Sequence, residues 1–268
     1  MIIIGEKING AIPSIKQAIA EKNEAFIIER TLAQAKAGAN FLDCAPSTAT
    51  DIEYETMVWL IDVMQGCTDV PLCIDSPDAG LLARIIEEGH LKKPGMVNSV
   101  NEEGTKCETI FPLIAGTDWQ VVGLTCDRDG IPTDTAKKVD IAKRIIDKAD
   151  HYGVALSKLH IDPCVMALAT QPGAMADFAA CIRQIHEYAP EVKVTGAISN
   201  ISFGMPARKY VNMNCLAYAM EAGLDSAILD PTSADMMGTI YACDALRSID
   251  KGGRKYNRAY RKGLFGKK

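Results

Sequence analysis

The sequence predicts an α/β fold of one domain, a (β/α)8 (TIM) barrel, and three observations predict it. Short apolar or β-branched runs alternate with longer helical segments. Eight such units follow one another at intervals of roughly 25 to 38 residues, and no Pro/Gly/Ser-rich linker interrupts them. Parallel strands joined by helices must be covered on both faces or closed on themselves, and eight consecutive units favour closure. The barrel is assigned to residues 1–250 and a basic C-terminal tail to 251–268.

In chain order, the strand at 2–5 (Ile-Ile-Ile-Gly) precedes a helix at 24–37, which Gly38 ends where a left-handed cap is needed. Strand 40–44 leads to helix 51–64. Strand 72–75 leads to helix 79–88 through Ser76-Pro77-Asp78, a helix-start signal. Strands 95–98, 120–125 and 158–162 lead to helices 108–115, 135–152 and 174–188. Strand 193–198 leads to helix 208–222, closed by Gly223, and strand 226–230 leads to helix 234–248 through Pro231-Thr232-Ser233.

Composition excludes several classes. With 48% apolar and 24% charged residues, the chain reads as soluble and globular. No apolar run approaches the roughly 20 residues that cross a bilayer, and Met1–Glu6 has no basic segment ahead of its apolar run, so a cytoplasmic protein is expected. The nine cysteines include no C-x-x-C pair, which fits reduced core thiols and argues against a metal bound by this chain. Residues 251–268 carry eight basic and no acidic side chains, leaving 21 basic against 34 acidic, a net −13, in 1–250. So acidic a body makes nucleic acid a poor partner.

Ligands of such a barrel bind where the strands end, and there the sequence is consistently polar. Glu6 and Asn9 follow strand 1; strands 2, 3 and 4 end on Asp43, Asp75 and Asn98; strand 5 carries Thr125 and Asp127; strands 6 to 8 bring Asp162, Ser199 with Asn200, and Asp230. Asp43 and Asp230 also suit a turn or helix cap. Asp75, Asn98 and Asp162 end apolar runs, and a carboxylate buried there needs hydrogen-bond donors from a ligand or the protein. No histidine falls on a strand end; His160, two residues before Asp162, reads as core. There is no strand-end lysine, G-x-S-x-G, G-x-G-x-x-G or P-loop. The mouth is rich in acceptors and poor in nucleophiles, which suits a neutral heterocycle with several N–H groups.

These residues resemble the pterin-binding methyltransferases that act with corrinoid proteins, including the folate domain of cobalamin-dependent methionine synthase, and more distantly dihydropteroate synthase. The resemblance rests on Gly5-Glu6-Lys7-Ile8-Asn9-Gly10, Cys73-Ile74-Asp75-Ser76, Val97-Asn98-Ser99, Gly123-Leu124-Thr125 with Gly130-Ile131-Pro132, Ile161-Asp162-Pro163 and Ser199-Asn200-Ile201-Ser202-Phe203-Gly204, in order across nearly the whole chain. It implies that Asp75, Asn98 and Asp162 hold the pterin, with Ser199 and Asn200 beside it, and that Asn200 stands next to N5. The roles it implies for catalysis fall to Asn200, Asp75 and Asn98. Glu6, Asp43, Phe203 and Arg208 are further candidates: Phe203 stands where some members have glutamine and would stack on the folate or pack in the core, and Arg208 would meet the folate's glutamate tail or lie on the surface.

The same resemblance implies tetrahydrofolate and 5-methyltetrahydrofolate as substrates, cobalamin carried by a separate corrinoid protein, and a homodimer. No D-x-H-x-x-G segment that would bind cobalamin occurs in the chain. Direction leans towards methylcorrinoid to tetrahydrofolate, as in demethylase systems, with the reverse as the alternative. Dihydropteroate synthase, a non-catalytic pterin-binding protein and an unrelated barrel lyase or aldolase are the other readings; the first is opposed by the absence of that enzyme's strand 1 asparagine motif and late basic phosphate-binding motif.

Overall fold

The computed structural model describes residues 1–266. Its strands are β1 (Ile2–Gly5), β2 (Phe41–Cys44), β3 (Leu72–Asp75), β4 (Met96–Glu102), β5 (Gln120–Asp127), β6 (Leu159–Asp162), β7 (Lys193–Val194) and β8 (Ser226–Leu229). All pair in parallel, in the order β7-β6-β5-β4-β3-β2-β1-β8. The ring closes between β7 and β8: Asp225 N–H donates to the Val194 carbonyl at 3.1 Å and Ile228 N–H to that of Gly196 at 3.0 Å. The helices are α1 (Pro13–Ala20), α2 (Glu24–Ala37), α3 (Thr50–Cys67), α4 (Ala79–Glu87), α5 (Lys106–Ile114), α6 (Thr135–His151), α7 (Ala174–Tyr188), α8 (Arg208–Ala222), α9 (Ala234–Leu246) and α10 (Arg254–Arg261).

Strand pleating positions the site. Ile4, Phe41, Cys73, Met96 and Val122 form a buried cluster inside the barrel, with Ile228 packed against it. His160 lies alongside Val122 in the β5–β6 register, fully buried, its Nδ1 2.7 Å from Ser226 Oγ and its Nε2 2.7 Å from Gln120 Oε1. It is a core histidine, and burial lowers its pKa to about 3, keeping it neutral. Side chains two residues apart share a face of a strand. Two residues beyond this layer stand Glu6, Asp43, Asp75, Asn98, Leu124, Asp162 and Asp230. The apolar layer is therefore the floor of the mouth, and the polar ring its wall.

Five elements depart from the sequence expectation. Residues 13–20 form a helix, begun by Pro13 and burying Ile15, Ala18 and Ile19. β7 is only two residues long, because the chain leaves the ladder and coils into a 3-10 turn at Ile198–Ser202. β4 and β5 run on past the rim to Glu102 and Asp127. In the tail, α10 packs on α9, and Phe265 is buried with its ring centroid 5.6 Å from that of Tyr241 and 4.8 Å from that of Tyr256. The nine cysteines form no disulfide. Among the described residues no helix is long and apolar enough to cross a membrane.

Candidate active site

A cavity of about 1020 Å³ opens at the C-terminal ends of the strands. It is lined by Glu6, Asp43, Asp75, Asn98, Asp162, Ser199, Asn200, Phe203, Arg208 and Asp230, among others. All nine residues expected to serve pterin binding or catalysis thus meet in one cavity. Thr125 and Asp127 do not. The interior face of β5 is set by Val122 and Leu124, so the odd-numbered Thr125 points away from the lumen and is fully buried. Asp127 lies beyond the rim, its carboxylate 3.4 Å from Lys137 Nζ.

Four carboxylates of the wall share one electrostatic property. Burial pushes Asp75 up to about 7, with Glu53 adding to the rise. Burial pushes Asp162 up to about 6, against the opposing Cys164 N–H and Lys138. Burial also raises Glu6 to about 7; Asp230 adds to this, while Lys7, Arg208 and Ser199 oppose it. Asp43, 2% exposed, is raised well above the usual carboxylate range by burial and by Asp75. Four acids facing one enclosed volume cannot all ionise comfortably unless something donates hydrogen bonds to them.

Their hydrogen bonding leaves acceptors free. Asp162 Oδ1 accepts from Cys164 N–H at 2.7 Å, an Asx-type turn that holds Cys164 at φ +56°. Lys138, 2% exposed, donates to the Cys164 carbonyl at 2.9 Å and braces the same turn from behind. Asp43 Oδ1 is buried with no partner among the described residues. Beside them Asn98, 9% exposed, can offer both a donor and an acceptor. This is the complement of a flat heterocycle edge bearing adjacent N–H groups and a carbonyl.

Asn200 rides on the 3-10 turn that follows β7, the neighbour of β6 in the ring. Arg208 fixes that turn: its Nη2 donates to the Ser199 carbonyl at 2.7 Å and its Nε to Ser202 Oγ at 2.9 Å, and Ser202 Oγ donates to Asn212 Oδ1 at 2.7 Å. Arg208 is thus a brace as well as a lining residue. Phe203 is 68% exposed at the rim, so it is not a core aromatic, and its ring centroid lies 5.6 Å from the Arg208 guanidinium carbon.

Sequence reasoning missed several participants. Cys164, Val165 and Met166 line the wall after β6, and Ile131 overhangs from the β5–α6 loop. Lys7 pairs with Asp230 at 3.1 Å, while its backbone N–H donates to the buried Gln34. The β1 and β2 loops meet so closely that a Cβ on Gly10 would stand 1.9 Å from the Pro46 carbonyl oxygen.

The chain belongs to the pterin-binding enzyme family, whose pattern matches residues 13–230. Within it, the chain is 48% identical to the methylcorrinoid:tetrahydrofolate methyltransferase of Eubacterium limosum over 268 residues, covering 99% of this chain and 98% of that one. It is 31% identical to the methionine synthase of Mycobacterium tuberculosis over 242 residues, 85% of this chain and 20% of that much longer protein. Among solved structures, dihydropteroate synthase from Xanthomonas albilineans in complex with 7,8-dihydropteroate has the same fold, with a TM-score of 0.67 at 17% identity over 93% of each chain. The Yersinia pestis dihydropteroate synthase gives 0.66 at 15% identity, over 92% of this chain and 93% of that one.

Proposed function

We propose that this protein transfers a methyl group between the cobalt of a separate corrinoid protein and N5 of tetrahydrofolate, working towards methyltetrahydrofolate. The observation that carries this reading is the end-to-end match, at 48% identity, to a methylcorrinoid:tetrahydrofolate methyltransferase. The acceptor-lined mouth supports it on chemical grounds. Asp75 and Asp162 accept the paired N–H groups of the 2-amino-4-oxo pyrimidine, and Asn98 both donates and accepts along the same edge. Asn200, on the turn after β7, hydrogen-bonds at N5.

In the proposed direction N5 of tetrahydrofolate attacks the methyl carbon; the carbon–cobalt bond breaks with both electrons left on cobalt, and the N5 proton departs. Asn200 has no ionisation of its own to use, so its carboxamide dipole stabilises the positive charge that develops on N5. Asp75 and Glu6, both near pKa 7, can accept or return a proton at physiological pH. The same groups serve the reverse reaction.

Cytoplasmic location and a homodimer are part of this proposal. Tyr218 on α8 (65% exposed) and Leu246 on α9 (84% exposed) offer apolar surface to a second copy. The test is anaerobic methyl exchange between methylcobalamin and tetrahydrofolate. Transfer is expected, and tight folate binding without any exchange would leave only a pterin-binding protein.

A further inference from the structure

The strongest charge asymmetry of the molecule lies outside the mouth. Six cations, Lys251, Arg254, Lys255, Arg258, Arg261 and Lys262, stand on or beside α10, and all six are exposed. None of them takes part in an ion pair among the described residues. The like charges repel, yet the segment is held in place. Asp250, 4% exposed, accepts from the N–H groups of Lys255 at 3.0 Å and Tyr256 at 2.8 Å, and Ala259 and Phe265 are buried beneath the helix. A purely solvated tail has no use for such anchoring.

Its position relates it to the mouth. A Cβ on Gly238 would stand 3.4 Å from the Phe265 ring. Gly238 lies about one helical turn along α9 from Asp235 and Met236, which line the cavity. The basic segment therefore runs up the outside of α9 and finishes about a turn from the rim. A protein seated over the mouth would have this strip at its edge.

We propose that the α10 strip is the electrostatic landing surface for the corrinoid protein and that it meets an acidic face of that partner. The inference rests on the methyltransferase reading, since that reading supplies a partner that must dock over the mouth. The strip raises the encounter rate and sets orientation, as charges at a contact's edge do, while leaving chemistry at N5 untouched. Because the rest of the chain carries −13, the strip suits a local acidic patch on a protein rather than a polyanion that would run on over the acidic body.

The test compares the full chain with the triple variant Arg254→Glu/Arg258→Glu/Arg261→Glu, using free methylcobalamin and a methyl-loaded corrinoid protein purified from the same cells as donors. With the corrinoid protein, KM is expected to rise about tenfold in the variant at low ionic strength, and the wild-type loss of kcat/KM between about 0.02 M and 0.2 M salt to disappear. With free methylcobalamin the rates should agree within twofold. The corresponding triple substitution to glutamine, which adds no negative charge, should show a smaller shift of the same sign. An unchanged KM for the corrinoid protein overturns the proposal, as does retention of an oligonucleotide by the wild-type strip together with unchanged KM. If wild-type protein moves no methyl from free methylcobalamin, the methyltransferase reading itself fails; direct binding of the corrinoid protein to the two forms then still decides the docking claim.

Discussion

Replacing Asp162 by asparagine separates a ligand-binding carboxylate from a structural one, because the two roles predict opposite changes in stability. Asp162 is 5% exposed, and its Oδ1 accepts from Cys164 N–H at 2.7 Å. An asparagine carbonyl can keep that bond, so the turn survives. Burial has moved the carboxyl from 3.8 to about 6 in the folded protein. A folded pKa above the unfolded one contributes stability below pH 4 that is lost as pH rises through 6. At pH 8 the ionised group therefore costs the unliganded protein about 3 kcal/mol relative to low pH. Asparagine removes that cost, in which the Cys164 N–H bond is already counted because it opposes the rise. The variant should be more stable than wild type at pH 8 by about 2–3 kcal/mol, with the gap closing towards pH 4.

Affinity should move the other way. The substitution puts two N–H donors where the pterin's own N–H groups are expected, and a charged hydrogen bond contributes about 1.5–3 kcal/mol, so Kd for tetrahydrofolate should rise by roughly 10- to 150-fold. Urea unfolding at pH 5 and pH 8, with anaerobic calorimetric titration of tetrahydrofolate, measures both. A variant that loses stability at pH 8 yet binds folate as wild type does would refute the assignment.

Asn200→Ala should slow methyl transfer by about 10²- to 10³-fold, as loss of one preorganised dipole does elsewhere, while folate Kd changes less than about threefold; single-turnover kinetics checks the split. Because Asp75 and Asp162 sit near 7 and 6 and N–H donors favour the ionised carboxylate, folate should bind more tightly as pH rises from 6 to 8 and release protons on binding. Titration calorimetry in buffers of different ionisation enthalpy detects that release, and a flat profile would contradict it. Gly10→Ala should lower stability by about 2–4 kcal/mol, because its methyl would meet the Pro46 carbonyl oxygen at 1.9 Å and force the β1 and β2 loops apart. Denaturant melts measure this, and a loss within 0.5 kcal/mol, the range for ordinary surface sites, would show that the loops yield freely.

The barrel was legible because eight apolar runs each end on or just before a polar residue, and all eight strands form where those runs lie, though β4 and β5 continue past the rim and β7 is cut short. The ring of Asp43, Asp75, Asn98 and Asp162 was legible for the same reason. Thr125 was misplaced by one residue, although parity was available: Val122 and Leu124 face the lumen, so Thr125 must face out. The sequence hid what depends on distant partners. Lys7 finds Asp230, and Phe265 finds Tyr241, only once the chain has closed. Cys164 enters the wall because Asp162 turns the chain back on itself, a local bond with no periodic signal. The shortening of β7 follows from a 3-10 turn whose brace, Arg208, lies six residues beyond it.

The most direct test of the central claim is to follow the methyl carbon itself. With ¹³C-methylcobalamin as donor and tetrahydrofolate as acceptor under anaerobic conditions, the protein should move the label to N5, seen as a new N-methyl resonance by ¹³C NMR, with one cob(I)alamin formed per methyl transferred. Label that stays on cobalt while tetrahydrofolate is demonstrably bound would contradict the account.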